Sequence, residues 1–214
     1  QVSITTGFSG STVSVFGIRP QGHDVAVSVL GPKRSMVVRQ KAPLLGMWLN
    51  RASITFREVP AYYDYAVSTP ETSLTTAAIL QAQQIGLDYL PLRFSGKHDE
   101  SKVERFRAAL VQNKQVQGHF PLEAKPLVFM TPTFFRADFF VPSSLPTGDY
   151  SVKAFLFKDG TPVQTQTTSL KVAQIGTSAA VHNFAYGNGF LYGMGSIFFA
   201  MGVGALAYAI ARRN

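Results

Sequence analysis

Side chains able to do chemistry are few in this chain, and they are scattered. The histidines His23, His98, His119 and His182 form no pair at metal-ligand spacing and no His-Glu-x-x-His pattern. Cysteine is absent, which excludes a thiol nucleophile, a thiolate zinc site and a Cys-held iron–sulfur cluster. Ser9 in Gly7-Phe-Ser-Gly10 lacks the Gly-x-Ser-x-Gly elbow that would expose a nucleophile, and reads as a turn residue. Gly187-Asn-Gly189 has neither the strand nor the basic residue that a phosphate-cradling loop requires. The candidate carboxylate pairs, Asp99-Glu100 and Asp64 with Glu71, read as surface charge and helix capping. The expectation is a non-catalytic protein without metal or cofactor.

Charge points to partners rather than to a reaction. Lys+Arg number 20 against 12 Asp+Glu, a net charge of +8. The excess lies early, where Arg19, Lys33, Arg34, Arg39, Lys41, Arg51 and Arg57 face only Asp24. Such a patch suits anionic lipid headgroups or an acidic partner. It also suits a small anion, with Arg39, Lys41 and Arg51 as the candidate contacts, or it is simply a solvated face. Nucleic acid is not expected, because no recognition motif accompanies the basic residues.

The C-terminus sets the location. Residues 172–211 contain no Asp, Glu, Lys or Arg, and a bilayer span needs only about twenty apolar residues. The expected span is 187–211, followed by a tail at 212–214. Arg212 and Arg213 flank it closely, so the positive-inside rule places the C-terminus in the cytoplasm and the preceding domain in the periplasm, anchored in a bacterial inner membrane. A chain starting at Gln1 is then expected to be a mature form whose signal peptide has been cleaved, or a shortened one. Gly189 and Gly193 form a Gly-x-x-x-Gly pair, and Ser196, Ala200 and Gly204 continue small residues at four-residue spacing. Small residues let a second helix approach closely, so this stripe is the expected packing face.

The domain that would carry these features reads as β structure with a helical insert. A hydrophobic content of 46% with 17 Phe and 8 Tyr excludes a disordered chain. Strands are expected at 2–6, 11–16, 24–30, 35–39, 46–49 and 53–57, with Val25, Val27 and Val29 on one face. Tyr62, Tyr63 and Tyr65 read as core. One helix is expected from Glu71 to Ile85, stopped by Gly86. A second starts near Asp99 or Ser101, where Ser101-Lys-Val-Glu104 has the form of a capping box. Val103, Phe106, Leu110 and Val111 give it an apolar stripe, and its charged residues from Lys97 to Lys114 read as a solvated face. Strands resume at 126–130, 133–141 and 150–157, and Lys158-Asp-Gly160 marks a hairpin into 161–172. The expected fold is mainly β: an immunoglobulin-like sandwich over 1–172 with a helical insert at about 71–117, a connector at 173–186, and one C-terminal transmembrane helix.

Gly46-Met-Trp-Leu-Asn-Arg51, Phe56, Val59-Pro-Ala-Tyr-Tyr63 and Ala66-Val-Ser-Thr-Pro70 resemble an uncharacterised alphaproteobacterial transmembrane family. The resemblance implies a cleaved signal, a periplasmic domain and one C-terminal span. It implies no activity, so no catalytic residue is carried over. It also implies a neighbouring sulfite-exporter-like permease as a membrane partner. Two functions are therefore expected. The first is an accessory subunit that docks its periplasmic domain on a larger membrane complex, a transporter or a respiratory or photosynthetic assembly. The alternative is a periplasmic anion-binding module serving a sulfite- or sulfonate-type permease.

Overall fold

The computed structural model describes residues 2–4, 10–44, 47–174 and 189–211. Within these, the side chains at 2–4, 42, 44, 47–48, 174, 189, 191–192, 195, 206–207 and 209–211 are not described. The chain divides into two compact units: 1–2 with 8–172, and 3–7 with 173–214.

The first unit is mainly β, as its alternating runs predict. Its strands are β2 (Ser11–Ile18), β3 (Asp24–Leu30), β4 (Lys33–Leu44), β5 (Met47–Pro60), β6 (Tyr63–Val67), β7 (Arg93–Phe94), β8 (Lys125–Pro126), β9 (Val128–Phe129), β10 (Phe134–Val141), β11 (Gly148–Lys158) and β12 (Thr161–Gln174). A short β1 (Val2–Ile4) precedes them. Among the described residues its strands form three sheets, ordered β12-β11-β3-β6-β8, β2-β10-β9 and β4-β5-β7.

The middle of the large sheet, β3 and β6, is buried on both sides. Register aligns Val25, Val27 and Val29 with Leu156, Ala154 and Val152, which sets them on one face as expected. That face meets β2-β10-β9, where Val13, Phe139 and Val141 close on Val29, Tyr150, Val152 and Val172 around a void of only about 10 Å³. The opposite face is not solvated. Ala26, Leu30, Tyr63, Tyr65, Phe155 and Phe157 pack with Ile54, Phe56, Leu74, Leu80, Phe106 and Leu110 from β5 and the helices. Strand β6 is therefore buried at all five positions. Burial on both sides removes the alternation that would mark an outward face.

Several local expectations are corrected by tertiary contacts. The single helix at 71–85 is two, α1 (Glu71–Leu74) and α2 (Ala77–Gln83). Thr75 between them is extended, and its hydroxyl donates to the Gly160 carbonyl at 2.5 Å in the β11–β12 turn. Helix α3 spans Glu100–Val116 with Asp99 at its N-cap and no side-chain cap bond. Ser101 thus falls in the first turn, and the capping box does not form. The strand expected at 126–130 is split at buried Leu127, because the chain leaves β6 and joins β10 there. The short strands expected at 35–39, 46–49 and 53–57 merge into the long β4–β5 pair, whose register shifts twice.

Other local signals hold. Asp159 and Gly160 both have positive φ, 50° and 76°, as a two-residue hairpin turn of the primed type requires. In Leu145-Pro-Thr-Gly-Asp-Tyr150, the Tyr150 hydroxyl donates back to the Pro146 carbonyl at 2.6 Å. In the second unit, helix α4 runs from Gly189 to Ala211, 23 residues inside the expected 187–211. The connector at 175–186 and the tail at 212–214 lie outside the described residues.

Candidate functional site

The three expected anion contacts sit on one stretch of the β4–β5 pair. Arg39 is opposite Ser53 and Lys41 opposite Asn50, and the register shift between Gln40 and Lys41 leaves Arg51 as the extra residue. All three are exposed. They do not share a pocket. Arg39 lines a groove of about 300 Å³ with Val38, Gln40, Arg105, Phe106 and Ala109. Lys41 and Arg51 are outside it. Arg105 belonged to the charged run that reads as a solvated face. Its neighbour Phe106 in the apolar stripe is the one signal that set it at the edge of the buried face.

Helix α3 also carries a buried cation. Lys114 is only 7% exposed, which corrects the solvated reading of the α3 charges at that position. Its ammonium donates to the Ala61 carbonyl at 3.1 Å and lies 5.9 Å from the centre of the Phe120 ring. Burial, and then the Arg34 charge, hold its pKa below the usual lysine value. His119 is also 7% exposed. Its Nε2 is 3.0 Å from the Ser144 hydroxyl, while its buried Nδ1 has no hydrogen-bond partner. Burial, and then the Lys114 charge, lower the imidazole pKa.

Asp64 is the buried acid of the fold, at 4% exposure, which corrects its reading as surface charge. It accepts from the Tyr62 hydroxyl at 3.1 Å, from the Tyr65 N–H at 2.9 Å and from the Lys125 ammonium. Burial raises its pKa, and the Lys125 contact opposes that rise. The Tyr62 hydroxyl also lies 2.8 Å from the Phe140 carbonyl, so one proton is shared between acceptors on two sheets. Burial, with Asp64 second, raises the Tyr62 pKa well beyond its ordinary value. A groove of about 310 Å³ opens beside this cluster, lined in part by Tyr62, Asp64, Glu123 and Lys125. The carboxylate already holds three donors, so its arrangement suits a lock between strands better than a free base. Glu71 is not its partner, because it accepts from the Tyr65 hydroxyl instead. Asp99 and Glu100 are exposed at the α3 N-terminus, as expected.

The outer face of β2-β10-β9 carries exposed apolar residues on either side of a polar set, Ser14, Arg136 and Asp138. Phe16 is 54% and Ile18 80% exposed, and Phe140, Val128 and Met130 are exposed with them. Phe16 stacks on Phe134 with ring centres 5.9 Å apart. The Ser14 hydroxyl donates to Asp138 at 2.6 Å, and Arg136 pairs with the same carboxylate at 3.0 Å.

Gly189 opens α4, and Gly193, Ser196, Ala200 and Gly204 follow along it, exposed. A Cβ built at Gly193 or Gly204 meets no atom within 4 Å. Phe190, Ile197, Phe198, Phe199, Met201, Val203 and Tyr208 are exposed too. Among the described residues no helix is long and apolar enough to cross a membrane. Within α4 the described side chains are interrupted by the gaps named above. Arg212 and Arg213, the expected topology signal, lie outside the described residues. No group of three or more His, Asp or Glu able to hold a metal occurs among the described residues.

A family model described as "Putative transmembrane protein (Alph_Pro_TM)" matches residues 1–213. The chain belongs to this family. The match covers both units, so the β domain and the α4 segment are parts of one family architecture. It agrees with the family resemblance read from residues 46–70. No curated protein and no solved structure matches the chain. A membrane-associated role follows from the family description, which names no activity and no ligand.

Proposed function

We propose that this Alph_Pro_TM protein is a non-catalytic, single-pass accessory subunit that docks a periplasmic β domain onto a larger membrane complex, a transporter or a respiratory or photosynthetic assembly. The observation that carries the reading is α4, a 23-residue helix whose described apolar side chains are exposed. A helix apolar all round needs lipid or protein on all sides. Its 23 residues rise ~34 Å at ~1.5 Å each, a length comparable with a hydrocarbon core of ~30 Å. The charge-free sequence of 172–211, closed by Arg212 and Arg213, supports a span with its C-terminus in the cytoplasm. Gly193, Ser196, Ala200 and Gly204 supply the small-residue face for a neighbouring helix.

The exposed Phe16, stacked on Phe134 beside the exposed Ile18, supports docking by the domain, since exposed apolar surface marks interaction sites. The order β12-β11-β3-β6 facing β2-β10-β9, and the Tyr150–Pro146 bond at the start of β11, support an immunoglobulin-like sandwich, a common interaction module. Purification from membranes in mild detergent through a tag on Asn214, followed by mass spectrometry, tests this function. A stoichiometric larger membrane complex is the expected result. Recovery of the chain alone, or of a simple homodimer, overturns it.

A further inference from the structure

We propose that the groove between β4 and α3 binds an amphipathic organic anion, with its oxyanion head held by Arg39 and Arg105 and a short aliphatic or aromatic tail against Val38, Phe106 and Ala109. The inference is independent of the docking function, and it is narrower than the Arg39, Lys41 and Arg51 set read from the sequence. Two observations meet here. The groove has a volume of about 300 Å³ and an apolar floor, and its only polar lining residues are the two arginines and Gln40. The ion pairs among the described residues are Arg93–Glu58, Lys125–Asp64 and Arg136–Asp138, so neither groove arginine has a carboxylate within reach. Both arginines keep their charge at any ordinary pH, and their planar forks match a carboxylate, sulfonate or phosphate.

The tail follows from the floor and the volume. An inorganic anion would leave Val38 and Ala109 in contact with water. A neutral apolar molecule would leave both arginine charges without a counter-ion. At ~30 Å³ per water-sized group the groove holds about ten such groups, the size of an aryl or medium-chain acid. Polymers such as nucleic acid are far too large to be held by it alone.

The test uses the full chain in nanodiscs of zwitterionic lipid, titrated calorimetrically with phenylpropionate, phenylpropanamide and inorganic sulfate. Phenylpropionate is expected to bind saturably at one site. The amide, which lacks the charge, and sulfate, which lacks the tail, should each bind about tenfold more weakly or less, a difference of ~1.4 kcal/mol. Arg39→Gln and Arg105→Gln should each weaken phenylpropionate by a similar factor. Arg57→Gln, an exposed arginine outside the groove, should leave it unchanged, with circular dichroism showing each variant folded. No saturable binding, equal affinity for acid and amide, or wild-type affinity in both groove variants overturns the proposal. Repetition in nanodiscs containing phosphatidylglycerol separates the sources of the anion. Competition assigns the head to a lipid, and unchanged affinity assigns it to a soluble acid.

Discussion

Lys125 on β8 closes on the carboxylate of Asp64 on β6, across a parallel pairing in which Ala66 faces Lys125. The contact joins the segment after α3 to the middle of the large sheet. Removing one partner of a buried pair strands the other charge, at ~3–5 kcal/mol when both are fully buried. Lys125 is 35% exposed, so water screens part of that cost. Lys125→Met is therefore expected to destabilise the domain by ~2–3 kcal/mol, and adding Asp64→Asn should restore most of the loss. Urea unfolding of the single and double variants checks this. A neutral Lys125→Met would remove the lock.

The pH dependence of Asp64 has an unusual sign. Its folded pKa lies above the ordinary 3.8, so the folded state holds the proton more tightly than the unfolded chain does. Its contribution to stability is therefore largest below 3.8 and is lost as pH rises through the raised value. Asp64→Asn should abolish this component of the stability–pH curve.

His119 acts on the acid limb in the opposite sense. Burial and the Lys114 charge lower its pKa below 6.5, while the Ser144 contact favours the charged form. Below pH 6.5 the unfolded chain takes the proton first, so stability falls until the folded value is passed. The slope from this group is at most ~1.4 kcal/mol per pH unit. Groups facing it include Lys114 and the Ser144 hydroxyl. His119→Gln should flatten the curve just below pH 6.5, read from melting temperatures across that range. An unchanged slope would place the sensitivity elsewhere.

Two positions around Tyr150 should be sensitive for different reasons. Burial pushes the Tyr150 pKa up to about 12, so its hydroxyl remains a donor to Pro146 at neutral pH. Tyr150→Phe should cost ~1 kcal/mol, the net value of one hydrogen bond. Gly31 has no room for a side chain, since a Cβ there would lie 2.9 Å from the Tyr62 backbone nitrogen and 2.9 Å from the Tyr150 ring. Gly31→Ala should cost ~1–3 kcal/mol, the usual range for overpacking. Denaturant midpoints at constant slope measure both.

The uncovered aromatic face should separate stability from association. Phe16→Ser and Phe140→Ser remove exposed apolar groups, so folding stability should stay within ~0.5 kcal/mol of the parent. The yield of the co-purifying membrane complex should fall in both. Full recovery of that complex with the double variant would free this face from docking.

What the sequence determined by itself rests on local physics. Alternation marked most of the strands, the Asp159-Gly160 dipeptide specified its turn, and a long charge-free run announced a helix at 189–211. Apolar positions in α3 picked out Phe106 and Leu110 as buried, and the family was legible from residues 46–70. Each of these follows from neighbours a few residues apart. The rest depends on residues distant in the chain. Thr75 breaks a helix because Gly160 lies beside it, and Asp64 is buried because Lys125 comes to it from sixty-one residues away. Lys114 and Arg105 occur in one charged run, yet one enters the interior and the other borders a groove. A residue's type shows that it can carry charge or bury area. Which of these it does is set by the layer that packs over it, here the helices and β4–β5 covering a sheet that alternation alone would leave facing water.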